Sequence, residues 1–461
     1  MQVSHVVSAR FDDPNLVSCA GLVPVMSLAQ RCGLGRLVTE RLTPPGSGGA
    51  NPAAKVASLV AGMVAGADSI DDMDLLRHGG VGRVLSGVRA PSTLGTFLRS
   101  FTFGHVRQLD SIAAGLLANL ATHTPVLAGA DQIAWVDADD TVRGTHGYAK
   151  QGVGYGYTGV KGLNALVATV STPVAAPVIC ATRLRKGSTN SARGAHRLVA
   201  DAVRAAKAAG ASGLIVLRAD SAFYGYPVIA AARRAGARFS ITTRMTSTVA
   251  AAIAAIPEDA WVPIRYPEAV WDDGEQRWVS DAEVAETSLT AFTGRRLGEQ
   301  VTARLIVRRV KRLNPAGESD GQGELFTTSS DWRYHAVFTD TPLPMLQAES
   351  AHRGHAIIEQ VIADLKNSAL AHLPSGRFTA NAAWLVLTAI AFNLTRAAGC
   401  LASAFHARAT TATIRAQLIN VPARLARSAR RLIMHLPRDW PWEHDWTDLL
   451  THASTPPATT A

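Results

Sequence analysis

Asp139 closes the stretch WVDAD, Asp220 closes LIVLRAD, and Glu359 stands alone in HRGHAIIEQVIADLK (352–366). An acid that follows an apolar strand lies at the carboxyl edge of a sheet, where open α/β sheets bind their ligands. Two such strands side by side bring two carboxylates together, and a helix crossing them adds a third. Three clustered carboxylates do not all ionise comfortably without a cation. Hard oxygen donors suit Mg²⁺ or Mn²⁺, and two such ions about 3.5–4 Å apart clamp an in-line phosphoryl displacement. The first acid has two candidates. Asp137 and Asp139 share one strand face, while Asp140 points the other way. Asp139 is the first choice and Asp137 the second.

The residues around Glu359 also have a pattern. His352, His355, Glu359 and Lys366 fall at i, i+3, i+7 and i+14, near one stripe of a helix expected over about 345–368. Basic donors beside a metal-binding acid suit a clamp on a phosphate backbone. A competing reading makes His352, His355 and Glu359 zinc ligands. It lacks the HExxH arrangement, which puts the general base between two histidines, and it leaves both aspartates unused.

These residues need elements to position them. Strand-like runs such as DQIAWVDADDT, NALVATVS, APVICATRL, GLIVLRAD and ARFSITTR alternate with the helical runs SARGAHRLVADAVRAAKAAG and YPVIAAARRAG, which predicts an α/β core. Residues 257–333 are rich in β-branched and aromatic residues and read as a β-rich insertion. HGYAKQGVGYGYTGVKG reads as a turn-rich hairpin rather than a phosphate loop. Residues 15 to about 125 read as short helices, either a helix-turn-helix unit or a packing layer. After about 400 the arginines dominate. Arg424, Arg427 and Arg431 fall at i, i+3 and i+7, one stripe if the segment is helical, and such a stripe can track phosphates. Arg185 and Lys186, in a basic stretch ahead of a helix, are further phosphate-contact candidates. Trp332 is a candidate for stacking on an unstacked base, and Trp384 for the core.

Composition bounds the partners. The 461 residues carry a net charge of +10 and a pI near 9.8, which points to a polyanion and most simply to nucleic acid. At that length two or three domains are expected. The four cysteines form no CxxC pair, which argues against a zinc finger or a disulfide framework and fits a reducing cytoplasm. The first residues contain no apolar signal-peptide run. The apolar stretch 382–394 is short for a bilayer span and reads as a buried helix, so no membrane partner is expected.

In these motifs the chain resembles a DDE-class transposase of a bacterial insertion sequence, and most nearly insertion-sequence family 1380 of the cut-and-paste branch. The resemblance covers about 130–400. It rests on VDADDT followed by HG, on LRADSAFY, and on HRGHAIIEQVIADLK followed by TANAAWLVLTAIAFNL, with a β-rich segment between the second and third acids. It implies an RNase H-like catalytic core of mixed sheet and flanking helices, with two ions of Mg²⁺ or Mn²⁺ held by Asp139, Asp220 and Glu359. The related branch has Y-x2-R-x3-E-x6-K on its late helix. Here Glu359 and Lys366 take the Glu and Lys positions, while His352 and His355 stand where Tyr and Arg are expected.

The organisation that follows is a helical region over 1–128 for DNA binding or dimerisation, a catalytic core over 129–256, and a β-rich insertion over 257–333. The second part of the core spans 334–400, and a basic helical region spans 401–461. The implied partners are terminal inverted repeats, target DNA and a second copy in the synaptic complex, and the implied location is the nucleoid-associated cytoplasm. A nuclease of the same fold that does not join strands, or a silent DNA-binding relative, are the alternatives.

Overall fold

The computed structural model describes residues 7–145, 150–156, 158–265, 271–274, 277–278, 282–311, 332–429 and 431–454. After a short strand, β1 (Leu16–Val17), come α1 (Leu22–Arg31), α2 (Leu34–Arg41), α3 (Pro52–Ala65), α4 (Pro91–Arg99) and α5 (Phe103–His123). Pro52 and Pro91 open α3 and α4 in the first turn, where a missing N–H breaks no helical bond. Gly66 closes α3 at φ 116°, a conformation that disfavours any side chain. α3 is buried along most of its length. It is therefore a packing element and not a helix free to enter a groove.

The sheet begins with β2 (Ile133–Gly144), β3 (Lys161–Ser171) and β4 (Val178–Lys186). α6 (Ala195–Ala208) leads to β5 (Leu214–Ala219), α7 (Tyr226–Arg234) to β6 (Arg238–Thr242), and α8 (Ser247–Ala254) to β7 (Val262–Ile264). β8 (Ala282–Ala291), β9 (Val301–Lys311) and β10 (Trp332–Thr339) follow. Strand order is β4-β3-β2-β5-β6-β10-β9-β8-β7. β4, β3 and β2 are antiparallel, β5 and β6 run parallel to β2, and β10 returns antiparallel to β6. β5 is buried at nearly every position, as a strand covered on both faces must be. The β-rich segment extends this same sheet, because β9 pairs with β10 and β8 with β9. In the glycine-rich stretch, Gly154–Tyr155 pairs antiparallel with Lys161–Gly162 as a hairpin, while His146 and Gly147 lie outside the described residues.

The expected single helix over 345–368 is instead two, α9 (Met345–Arg353) and α10 (Ile357–Lys366), separated by a 3₁₀ turn at Gly354–Ala356. α11 (Phe378–Ala402) is apolar enough to cross a membrane by composition, yet 89% of its apolar window is buried inside the protein. It is the axis of the helical body, packed by α3, α5 and β4. Trp384 in its first half is fully buried and donates Nε1–H to Ala369 O at 2.7 Å, which makes it core. Asn393 clamps the helix to the sheet by exchanging hydrogen bonds with both backbone groups of Ile179.

The C-terminal segment corrects the helical expectation. Arg424, Arg427 and Arg431 lie on a β-hairpin of β11 (Ala423–Ser428) and β12 (Arg431–His435), and β11 also pairs with β1. Ala423 and Leu425 point inward while Arg424 and Arg427 are exposed. Alternation of period two thus wins over the helical spacing of the arginines. The last helix, α12 (Glu443–Ser454), packs on α1 and α11.

Candidate active site

β2 and β5 set the geometry. Their parallel register pairs Asp137 with Arg218 and Ala138 with Ala219. The next position on each strand is Asp139 and Asp220. The two acids therefore stand side by side where β5 ends, one strand spacing of about 4.8 Å apart across the sheet; β2 does not end at its acid as expected but runs on to Gly144, paired there only with β3. Asp139 lies on the Asp137 face of β2, two residues on. Asp220 leaves β5 at once, and its side chain accepts from the backbone N–H of Ala222 at 3.0 Å as the cap of a short 3₁₀ turn.

Electrostatics distinguish this pair from the neighbouring acids. Burial pushes the Asp139 carboxyl up to about 6, with Asp220 and Asp140 adding to the rise and the Asp140 N–H and His355 opposing it. Burial likewise raises Asp220, against the Ala222 N–H and His355. Among the described residues neither acid has an Arg or Lys ion-pair partner. Two adjacent carboxylates without a counter-ion are a hard-oxygen donor set that suits Mg²⁺ or Mn²⁺.

Asp137 is not such a donor. It is fully buried, Arg218 donates Nε and Nη2 to its two oxygens at 2.8 and 2.7 Å, and His355 Nδ1 lies 2.9 Å from Oδ1. A carboxylate only accepts, so His355 donates through Nδ1. Arg218 also donates Nη1 to Ala351 O, one of the carbonyls left over at the end of α9. A Cβ on Gly354 would sit 2.7 Å from Arg218 Nη1, so only glycine lets the guanidinium reach that carbonyl. One buried arginine thus joins β2, β5 and the break between α9 and α10.

His352 corrects another expectation. It is buried, its Nδ1 and Nε2 lie 2.9 Å from the Ser240 and Thr242 hydroxyls, and burial pushes its pKa down to about 3. It is a neutral peg that pins α9 to β6, not a DNA contact. With both ring nitrogens engaged it cannot ligate zinc either.

His355 and Lys366 flank the acid pair. His355 acts electrostatically on Asp139 and Asp220, and Asp139 acts on Lys366. Glu359 is exposed and lies between His355 and Lys366 along the helix. It does not close onto the aspartates: among the described residues no three His, Cys, Asp or Glu side chains gather tightly enough to hold one ion. The α9–α10 anchors hold the helix beside the strands, and the Glu359 carboxylate remains in solvent.

The opposite face of β2 carries a different network. Arg185 donates to Asp140, to Asn164 Oδ1 and to the carbonyls of Asn190, Ser191 and Arg193, and only 8% of it is exposed. Asn164 and Ser191 complete the bonds to Asp140. Arg185 is therefore a structural counter-ion, which corrects its assignment as a phosphate contact. Lys186 is exposed, and the cross-strand row Arg143–Leu163–Lys186 puts it on the same sheet face as Asp139. Trp332 lies against the guanidinium of Arg309, 4.5 Å from its ring centroid, so that face is already occupied.

Sequence reasoning missed Arg218 and the Ser240/Thr242 pair. For Arg218 a signal exists: DAD and RAD follow the two apolar runs in the same phase, so a strand-borne Arg matches an Asp two residues before each later acid. A family model described as transposase DDE domain group 1 matches residues 2–455. No curated protein matches the chain.

Proposed function

The chain belongs to the family of transposase DDE domain group 1, and from that premise we propose that it cuts and joins DNA at a site built on Asp139, Asp220 and Glu359. The observation that carries this reading is the register of β2 and β5, which sets two carboxylates without a cationic partner side by side. The meander of β4, β3 and β2 followed by parallel β5 and β6 supports an RNase H-like core. The strands β8 and β9, between the second acid and the Glu359 helix, support the β-insertion branch and insertion-sequence family 1380.

Asp139 and Asp220 would hold Mg²⁺ or Mn²⁺, two ions in all, with the exposed Glu359 side chain of α10 completing the set when metal and DNA are bound. Bound there, the ions supply an activated water and offset the charge that develops on the phosphate. The protein does the positioning. Arg218 and Asp137 keep β2, β5 and α10 in fixed relation, His355 is oriented by Asp137 toward the acids, and Lys366 and Lys186 face the DNA backbone. The exposed Arg424, Arg427 and Arg431 of the C-terminal hairpin offer a second, distal contact. Terminal inverted repeats and target DNA are the substrates, synapsed by a homodimer in the nucleoid-associated cytoplasm.

The test is incubation of labelled element-end DNA with Mg²⁺, scored for nicking and for joining. Joining separates a transposase from a plain nuclease. Glu359→Gln should retain end binding and lose cleavage, and normal cutting by that variant would remove Glu359 from the site.

A further inference from the structure

Beside the acid pair lie two cations with no partner among the described residues. Arg143 is on β2, four residues beyond Asp139 and by strand alternation on the same face. Among the described residues it forms no ion pair and no side-chain hydrogen bond, and its Nε is buried without an acceptor. This is unlike Arg185, Arg218 and Arg309, which are each satisfied by carboxylates or carbonyls. Lys366, at the end of α10, also lacks an ion pair among the described residues. α10 packs on β2, and the charges of both Arg143 and Asp139 act on Lys366, the first opposing its protonated form and the second favouring it.

A half-buried arginine next to a lysine, with no acid between them, is unfavourable unless an anion bridges the pair. We infer that Arg143 and Lys366 form a seat for one DNA phosphate next to the scissile bond. Arg143 is then a substrate-binding residue that no motif marks. This rests on the proposed DNA-cutting function. Arg143 suits the role because its planar fork can take two oxygens of one phosphate, while Lys366 adds a point charge. Lys186, on the same face about 10 Å away across two strand spacings, continues the basic track beyond this seat.

The probe is a fluorescein-labelled duplex of the DNA flanking the coding sequence, titrated in EDTA over a range of salt with wild type, Arg143→Gln and Arg143→Lys. Arg143→Gln should bind about tenfold more weakly, with the slope of log affinity against log salt reduced by about 1. Its thermal midpoint should match wild type, and Arg143→Lys should recover the slope but not all of the affinity. Duplexes with a single neutral methylphosphonate should reveal one position near the cleavage site that weakens wild type and leaves Arg143→Gln unaffected. An unchanged slope, or the same interference pattern in wild type and Arg143→Gln, overturns the inference. Cleavage is read separately in Mg²⁺. A wild type that binds with the predicted Arg143 dependence but never cuts would overturn the function and leave the phosphate seat standing.

Discussion

Replacing Asp139 by Asn should stabilise the metal-free protein while abolishing its activity. Burial and the adjacent Asp220 raise the Asp139 carboxyl from 3.8 to about 6. The folded protein therefore binds this proton more tightly than the unfolded chain. Stability falls as pH rises from about 4 to about 6, and above that the full penalty applies. At about 1.36 kcal/mol per unit the penalty has an upper value of about 3 kcal/mol, and solvent at the half-buried site reduces it to about 1–3 kcal/mol. Asn keeps the oxygen that accepts from the Asp140 N–H and removes the charge. Unfolding entropy of about 2.1 cal/mol/K per residue over 461 residues comes to about 1 kcal/mol/K, so the variant should melt about 1–3 °C higher at pH 8. Near pH 4 the advantage should vanish, because wild type is then protonated there too. Differential scanning calorimetry in EDTA at both pH values measures this. Added Mg²⁺ should raise the wild-type midpoint and not that of Asp139→Asn. Equal midpoints at pH 8, or an advantage that persists at pH 4, would refute the account of the acid pair.

Three further outcomes follow from the anchors. Arg218→Met leaves Asp137 buried without its guanidinium and should cost about 3–5 kcal/mol in urea denaturation; a loss under about 1 kcal/mol would count against the buried pair. Arg185→Met should destabilise in the same way and leave the salt slope of DNA binding unchanged, whereas a lower slope would return Arg185 to the DNA surface. His352 should show no imidazole titration by NMR between pH 5 and 8. Its folded pKa lies below that of the unfolded chain, so its contribution to stability is present above about 6.5 and lost progressively as pH falls; a midpoint near 6.5 would show that it is not sealed by Ser240 and Thr242.

What the sequence by itself determined was local. WVDAD and LIVLRAD each announce a buried strand that carries an acid, but only LIVLRAD ends at its acid, because β2 stays paired with β3 as far as Gly144. The alternation of strands and helices carried the α/β class, and the apolar run 382–394 read as a buried helix, although the full α11 is long enough to cross a membrane and only its packing shows it to be core. Partnership was decided only in three dimensions. Nothing in the order of residues says that β2 and β5 are parallel neighbours, yet that register separates Asp137, neutralised by Arg218, from Asp139, left beside Asp220. His352 and His355 are three residues apart in one motif, but one faces the hydroxyls of β6 and the other Asp137, so one became a peg and the other a flank of the site. Arg185 and Lys186 are adjacent, but strand alternation buries the first against Asp140 and exposes the second. The arginines of the C-terminal hairpin kept a helical spacing in a segment that folded as strands. Its turn carries Ala429 at φ 54°, without the Asn or Gly that usually marks a tight turn. Spacing fixes which side chains can share a face, but the fold chooses what each face meets, because burial and pairing energies come from residues far away in the chain.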